Sequence, residues 1–149
     1  MINSWLENVF KRNKSGNINT NDRLEILELF ARYSWAIDTG DAEAYASVFV
    51  GDGIMQGGTR KFQGTEELKK FVGLIFKTET HTQHWTTNHV FTPSKSGCSV
   101  ISYLVEFKAH SQDRSEVAVV GCYKDDLTRT EYGWRFVHRR FTRWEDYGN

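Results

Sequence analysis

The sequence has little cysteine, no surplus of either charge, no long apolar run, no internal repeat and no low-complexity segment. Each shortage narrows what the chain can be. Two cysteines, Cys98 and Cys122, fall short of the roughly four ligands of a zinc site, and no CxxC pair exists. Both sit in expected strands among apolar neighbours, the setting of buried free thiols in a reducing compartment. Nineteen basic residues balance nineteen acidic ones. Non-specific nucleic-acid binding draws on a net positive field, so no nucleic-acid partner is expected. No stretch approaches the roughly 20 apolar residues that span a bilayer, so no membrane partner is expected. The opening Met1-Ile2-Asn3-Ser4-Trp5-Leu6 lacks a basic leader and a long apolar core. It does not read as a signal peptide, and the expected location is the cytoplasm.

What is present suits one globular domain. The 149 residues can bury a real core, and the apolar (39%) and charged (26%) fractions are ordinary. Aromatic residues reach 14%, with five Trp and ten Phe. Large rings supply much buried area per residue, which suits a small domain that must wall a cavity.

The chain divides at about residue 20. Residues 1–20 read as an extension, with a short amphipathic helix over Ser4–Arg12 and a polar linker containing Gly16. Residues 21–149 read as the domain. A helix is expected from Asp22, with Asp22 and Glu25 at capping-box-like spacing and an apolar stripe of Ile26, Phe30, Tyr33 and Ile37. Asp38-Thr39-Gly40-Asp41 ends it, and Asp41 can cap a second short helix running to Phe49. Gly51-Asp52-Gly53 reads as a turn, followed by a small hairpin about Gly57-Gly58 and a third helix over Thr65–Phe76. Four strands then follow, over 82–92, 98–110, 116–126 and 134–144. Helices segregated from an antiparallel meander make an α+β domain.

The segment Thr82 to Val90 is the richest in chemistry. Side chains alternate along a strand, which places His84, Thr86, Asn88 and Val90 on one face and His81, Trp85, Thr87, His89 and Phe91 on the other. His81 and His89 lie about 26 Å apart and cannot share a metal. His84 and Asn88 can both point into a cavity. An inward histidine needs a partner to fix its tautomer, and Asp38, at the end of a helix facing the sheet, is the candidate. Tyr33 lies about 140° around an ideal helix from Asp38, so the two flank one pocket only if the helix frays at its end. Each residue also has a plain structural reading: His84 as a satisfied core or rim residue, Asp38 as a turn-former, Tyr33 as core. Glu106 reads as an acid–base group or a solvated strand residue. Arg140 reads as a pocket-mouth cation for an acidic group or an outward charge.

Several motifs resemble the SnoaL-like branch of the nuclear-transport-factor-2-like superfamily. These are Tyr33-x4-Asp38-x-Gly40-Asp41 with Phe49-x2-Asp52, Gln83-His84-x3-Asn88, Gly121-x-Tyr123, and Gly133-Trp134-Arg135-Phe136-x2-Arg139. The similarity spans about residues 20–146. It implies a cone-shaped α+β barrel, three helices packed on a curved, mostly antiparallel sheet. In members such as scytalone dehydratase and bile-acid 7α-dehydratase an Asp–His pair transfers the proton without a cofactor. By motif, Asp38 and His84 match that pair, and Tyr33 matches a catalytic tyrosine of the bile-acid enzyme type.

The resemblance implies a cofactor-free, metal-free lyase (a dehydratase) or isomerase. The substrate would be a hydrophobic cyclic small molecule, with His84, Asp38 and Tyr33 catalytic and Asn88, Glu106 and Arg140 binding. A polyketide or terpenoid cyclase and a non-catalytic binding or assembly module of the same fold are the alternatives. The apolar sheet face carrying Trp85 and Phe91 points to a homodimer or homotrimer.

Overall fold

The first long helix, α1 (Thr20–Thr39), begins two residues earlier than its expected start and is capped by a different pair. Asn19, in extended backbone, accepts the Asp22 N–H through its side chain, while the Asp22 carboxylate accepts the Asn19 N–H. This reciprocal box satisfies two otherwise orphaned donors. Glu25, the expected box partner, instead faces Arg129 across 3.4 Å. The computed structural model describes residues 16–78 and 81–147. The helix expected over Ser4–Arg12 lies outside the described residues.

Ile26, Leu29, Phe30, Tyr33, Ala36 and Ile37 are the buried face of α1. Gly40 ends the helix in the left-handed conformation, φ 72°, donating its N–H to Ala36 and Ile37 carbonyls. A Cβ there would lie 2.7 Å from the Phe76 ring, so conformation and packing both select glycine. Asp41 caps α2 (Ala42–Ser47), which is shorter than expected. Strand β1 (Phe49–Gly57) takes the residues expected to finish that helix and form a turn. A contact far along the chain decides this: Phe136 N–H donates to the Val48 carbonyl, and Phe49 registers against Phe136. β1 turns into β2 (Arg60–Gln63), and α3 (Thr65–Thr78) follows with Leu68 and Val72 fully buried.

The remaining strands are β3 (Thr82–Pro93), β4 (Cys98–Ser111), β5 (Arg114–Thr130) and β6 (Gly133–Arg143). They join β1 and β2 in one six-stranded sheet of order β2-β1-β6-β5-β4-β3. All neighbours are antiparallel except β1 and β6. The helices cover one face of this curved, open sheet.

Two bulges decide which side chains face the helices. In β3, Thr87 pairs with Tyr103 and Val90 with Ile101, so β3 carries one extra residue. Asn88 absorbs it with φ 57°, in the left-handed region that asparagine tolerates better than most residues. The alternation flips at that point. His89 meets the Phe30 ring at 4.7 Å on the core side, and Phe91 packs against the core beneath the Arg23 guanidinium. In β6, a similar slip beside Val137 turns Arg139 inward and Arg140 away. A one-residue slip reverses every side chain beyond it.

Arg139 is wholly buried. Its Nε and Nη2 donate to the two Asp125 oxygens, each at 2.9 Å. Phe30, Tyr33, Tyr123 and Phe136 surround its guanidinium, with ring centres 3.9 to 4.5 Å away. The ring faces and the carboxylate offset part of the cost of desolvating the cation. Burial pushes the Asp125 carboxyl up, to about 6, against the opposing pull of Arg139. Burial also opposes the charge on Arg139, but Asp125 and the tyrosines hold its pKa above the ordinary arginine value.

Removing one partner strands a buried charge. Asp125→Ala is therefore expected to lower unfolding free energy by about 3–5 kcal/mol, while Asp125→Leu with Arg139→Met recovers much of the loss. Urea denaturation of the three proteins checks this, and a loss below about 1 kcal/mol in the single variant would contradict it. His89 supplies a pH signature. Burial first, then the Arg139 charge, lowers its pKa to about 4, so the folded protein holds it neutral. The unfolded chain protonates it near 6.5. The contribution of neutral His89 is thus complete above pH 6.5 and is lost as pH falls towards 4. The stability difference between wild type and His89→Leu should shift against wild type over that interval, and a pH-independent difference would refute the assignment.

Candidate active site

Asp38 stands at the last turn of α1, where the unbroken helix aims it at β3. Its carboxylate accepts the His84 backbone N–H at 3.0 and 3.2 Å, and its Oδ1 lies 2.6 Å from the His84 ring Nδ1. With Asp38 ionised, Nδ1 carries the proton and donates it, leaving Nε2 as the free lone pair. Nε2 faces Glu106 on the neighbouring strand, 3.4 Å from its Oε2, and the register pairs His84 with Glu106 directly. Both side chains are more than 90% buried. Glu106 is therefore not a solvated strand residue.

His84 and Glu106 form part of the wall of a cavity of about 180 Å³ that opens to solvent at one end. Most of the remaining wall is apolar and aromatic, including Ile37, Met55, Phe62, Phe71, Leu104 and Phe141. A larger groove of about 330 Å³ runs along α1 past Trp35 and Arg135, but it contains no histidine. Among the described residues, no group of three or more His, Cys, Asp or Glu is placed to hold a metal ion.

Tyr33 enters the cavity wall from the middle of α1. The helix does not fray to bring it beside Asp38. Instead, His84 separates them: Tyr33 borders the cavity, while Asp38 approaches the ring from behind, in a separate surface groove. The Tyr33 hydroxyl accepts from Tyr45 at 3.3 Å and donates to the Met55 sulfur at 3.7 Å. Burial raises its pKa, and that of Tyr45 further still, so both remain neutral phenols able to donate. Thioether sulfur is a weak acceptor, which a ligand oxygen can readily replace.

Two expected binding residues lie elsewhere. Asn88 is exposed and accepts from the Thr87 hydroxyl at 2.6 Å, turned away by its own bulge. Arg140 pairs with Asp126 at 2.8 Å and approaches the His138 ring at the same distance, outside the cavity wall. The arginines that do border the cavity are Arg60 on β2 and Arg143 on β6. No sequence signal short of the β6 register distinguishes Arg143 from Arg140. Arg60 is hidden by its position in a short hairpin.

A model of the SnoaL-like domain matches residues 19–140. No curated protein matches the chain. Among solved structures, a protein of unknown function with a cystatin-like fold from Nostoc punctiforme is 25% identical, with TM-score 0.76 over 84% of this chain and 92% of its own. An NTF2-like protein with a cystatin-like fold from Novosphingobium aromaticivorans is 24% identical, with TM-score 0.76 over 86% and 85%. A candidate scytalone dehydratase from the same organism is 21% identical, with TM-score 0.71 over 88% and 93%. With the family model spanning most of its length, this chain belongs to the SnoaL-like family, built on the NTF2-like fold.

Proposed function

We propose that the protein is a cofactor-independent dehydratase acting on a hydrophobic cyclic molecule that carries a hydroxyl group β to a carbonyl. One observation carries this reading: Asp38 holds His84 by Nδ1, leaving Nε2 on the side of the buried end of a largely apolar cavity. His84 Nε2 takes the proton from the carbon next to the carbonyl, and that C–H electron pair becomes the new double bond. The C–O bond to the hydroxyl breaks, and the departing oxygen leaves as water with a proton returned from the imidazolium. Asp38 and Glu106 flank the ring and stabilise its cation. Tyr33 donates to the carbonyl oxygen, where charge accumulates. Low polarity around the ring strengthens each of these interactions.

Ring closure begins with the same proton abstraction, so a polyketide or terpenoid cyclase uses this site unchanged, as does an isomerase that shifts a double bond. A further alternative has its own observation. Asp38 also accepts the His84 backbone N–H, so it joins α1 to β3 whether or not the ring reacts. On that reading the protein is a non-catalytic ligand carrier.

Fused aromatic β-hydroxyketones, followed by enone absorbance, separate the readings. The enzyme should convert members of the panel, and His84→Ala should lower turnover about 10²–10⁴-fold with ligand affinity kept within a few-fold. Binding without conversion by wild type would favour the carrier. The outer sheet face exposes Trp85, Tyr103, Val120 and Trp144, each 46 to 56% accessible. A homodimer or homotrimer burying this face is proposed, and light scattering at micromolar concentration should show one. A monomer would contradict it.

A further inference from the structure

The cavity is electrically polarised along its depth. Its buried end holds His84 and Glu106, with Asp38 behind. Among its lining residues Arg60, Leu74 and Arg143 are exposed, and they mark its mouth. Neither arginine has an ion pair or side-chain hydrogen bond among the described residues. The other arginines near the sheet's helical side are engaged: Arg139 with Asp125, Arg129 with Asp22, and Arg23 over Phe91.

Their placement follows from the register. Gly57 of β1 stands opposite Arg60 of β2 on one side and Phe141 of β6 on the other. Arg143 lies two residues beyond Phe141, so both point to the same face, and both line the cavity. Two strand spacings across and two residues along place the arginine backbones about 12 Å apart. Side chains of this length, reaching inward from either side, can meet over one small group.

We propose that Arg60 and Arg143 form an anion-recognising mouth, and that the substrate is an amphiphile bearing a carboxylate at the end opposite its reacting carbon. This rests on the cavity being the reaction chamber proposed above. An anion placed deep would face the carboxylates of Glu106 and Asp38, whereas at the mouth it meets two cations. The charge pattern therefore permits one orientation, with the acidic end outward and the apolar ring inward against Phe62, Phe71 and Phe141. Guanidinium groups suit this task because their planar donors match a carboxylate in pairs. The expectation of a mouth arginine on the last strand thus passes from Arg140 to Arg143, with Arg60 as its partner.

The test compares 2-naphthoate with 2-naphthamide, two bodies of nearly equal shape that differ in charge. Nitrogen-15 NMR titration reads binding at the amides of Gly57, Leu104 and Val119 on the cavity, and at Trp85 and Tyr103 on the outer face as controls. The carboxylate should saturate the cavity amides at about tenfold lower concentration than the amide, with the preference shrinking as salt rises. Arg60→Gln with Arg143→Gln should abolish the preference and leave 2-naphthamide binding unchanged. Both positions are exposed, so the folded spectrum should persist. Equal affinity in wild type, or a preference that survives the double variant, overturns the anionic mouth and leaves the proton-transfer reading intact. Failure of both probes to move the cavity amides overturns both readings. The preference should persist in His84→Ala, because the mouth and the base are separate, and its loss there would also contradict the proposal.

Discussion

The Asp38 carboxylate carries the arrangement of the site. It receives two donors from one residue, the backbone N–H and the ring Nδ1 of His84, and so joins the end of a helix to the inner edge of the sheet. The backbone bond sets the distance between α1 and β3, and the ring bond sets the orientation of the imidazole. Gly40 makes this geometry available by stopping the helix two residues later, in a conformation and against a phenyl ring that admit no side chain. A carboxylate one residue earlier, at the position of the buried Ile37, would face the core, and one beyond the glycine would lie outside α1. The chemistry proposed for the cavity depends on this one placement, since a free imidazole could present either nitrogen.

A second constraint lies beneath the cavity. The Arg139–Asp125 pair sits among four aromatic rings, two of which, Tyr33 and Tyr123, also border the cavity. Tyr33 thus has two environments: its ring faces a buried cation, and its hydroxyl meets Tyr45 and the sulfur of Met55, itself a residue of the cavity wall. Packing on the core side holds the hydroxyl in position. The interior is consequently layered, with a buried Arg139–Asp125 ion pair at its centre, aromatic walls around it, a histidine between carboxylates at the buried end of the cavity and two exposed arginines at the mouth. On the proposed reading, such layering would orient an acidic-ended ligand with its apolar body inward.

Much of this was legible in the residues alone. The stripe Ile26, Phe30, Tyr33, Ile37 predicts α1 and its buried face, and the Asp38–His84 pairing follows from a helix end that must face an alternating strand. What escaped was whatever depended on register. Simple alternation puts Asn88 beside His84 and Arg140 beside Phe136. One extra residue in β3 and a slip in β6 reverse both, sending Asn88 and Arg140 out and bringing His89, Phe91 and Arg139 in. A bulge is a choice between nearly equal local conformations, settled by the neighbouring strand, so its cause is absent from the local sequence. The start of β1 was hidden for a related reason: Phe49 continues an apolar pattern compatible with helix, and only its partner Phe136, far along the chain, makes it a strand. Glu106 was ambiguous until its inward parity was known.

The central claim is that Asp38 fixes the His84 ring with Nδ1 protonated and Nε2 open to the cavity. Ring nitrogen-15 shifts, read by long-range proton–nitrogen correlation on the wild-type protein and on Asp38→Asn, test it directly. The account predicts a protonated Nδ1 with a strongly deshielded proton and an unprotonated Nε2 in wild type, and loss of that preference in Asp38→Asn. A neutral ring protonated on Nε2 in wild type, or a tautomer unchanged by the substitution, would contradict it.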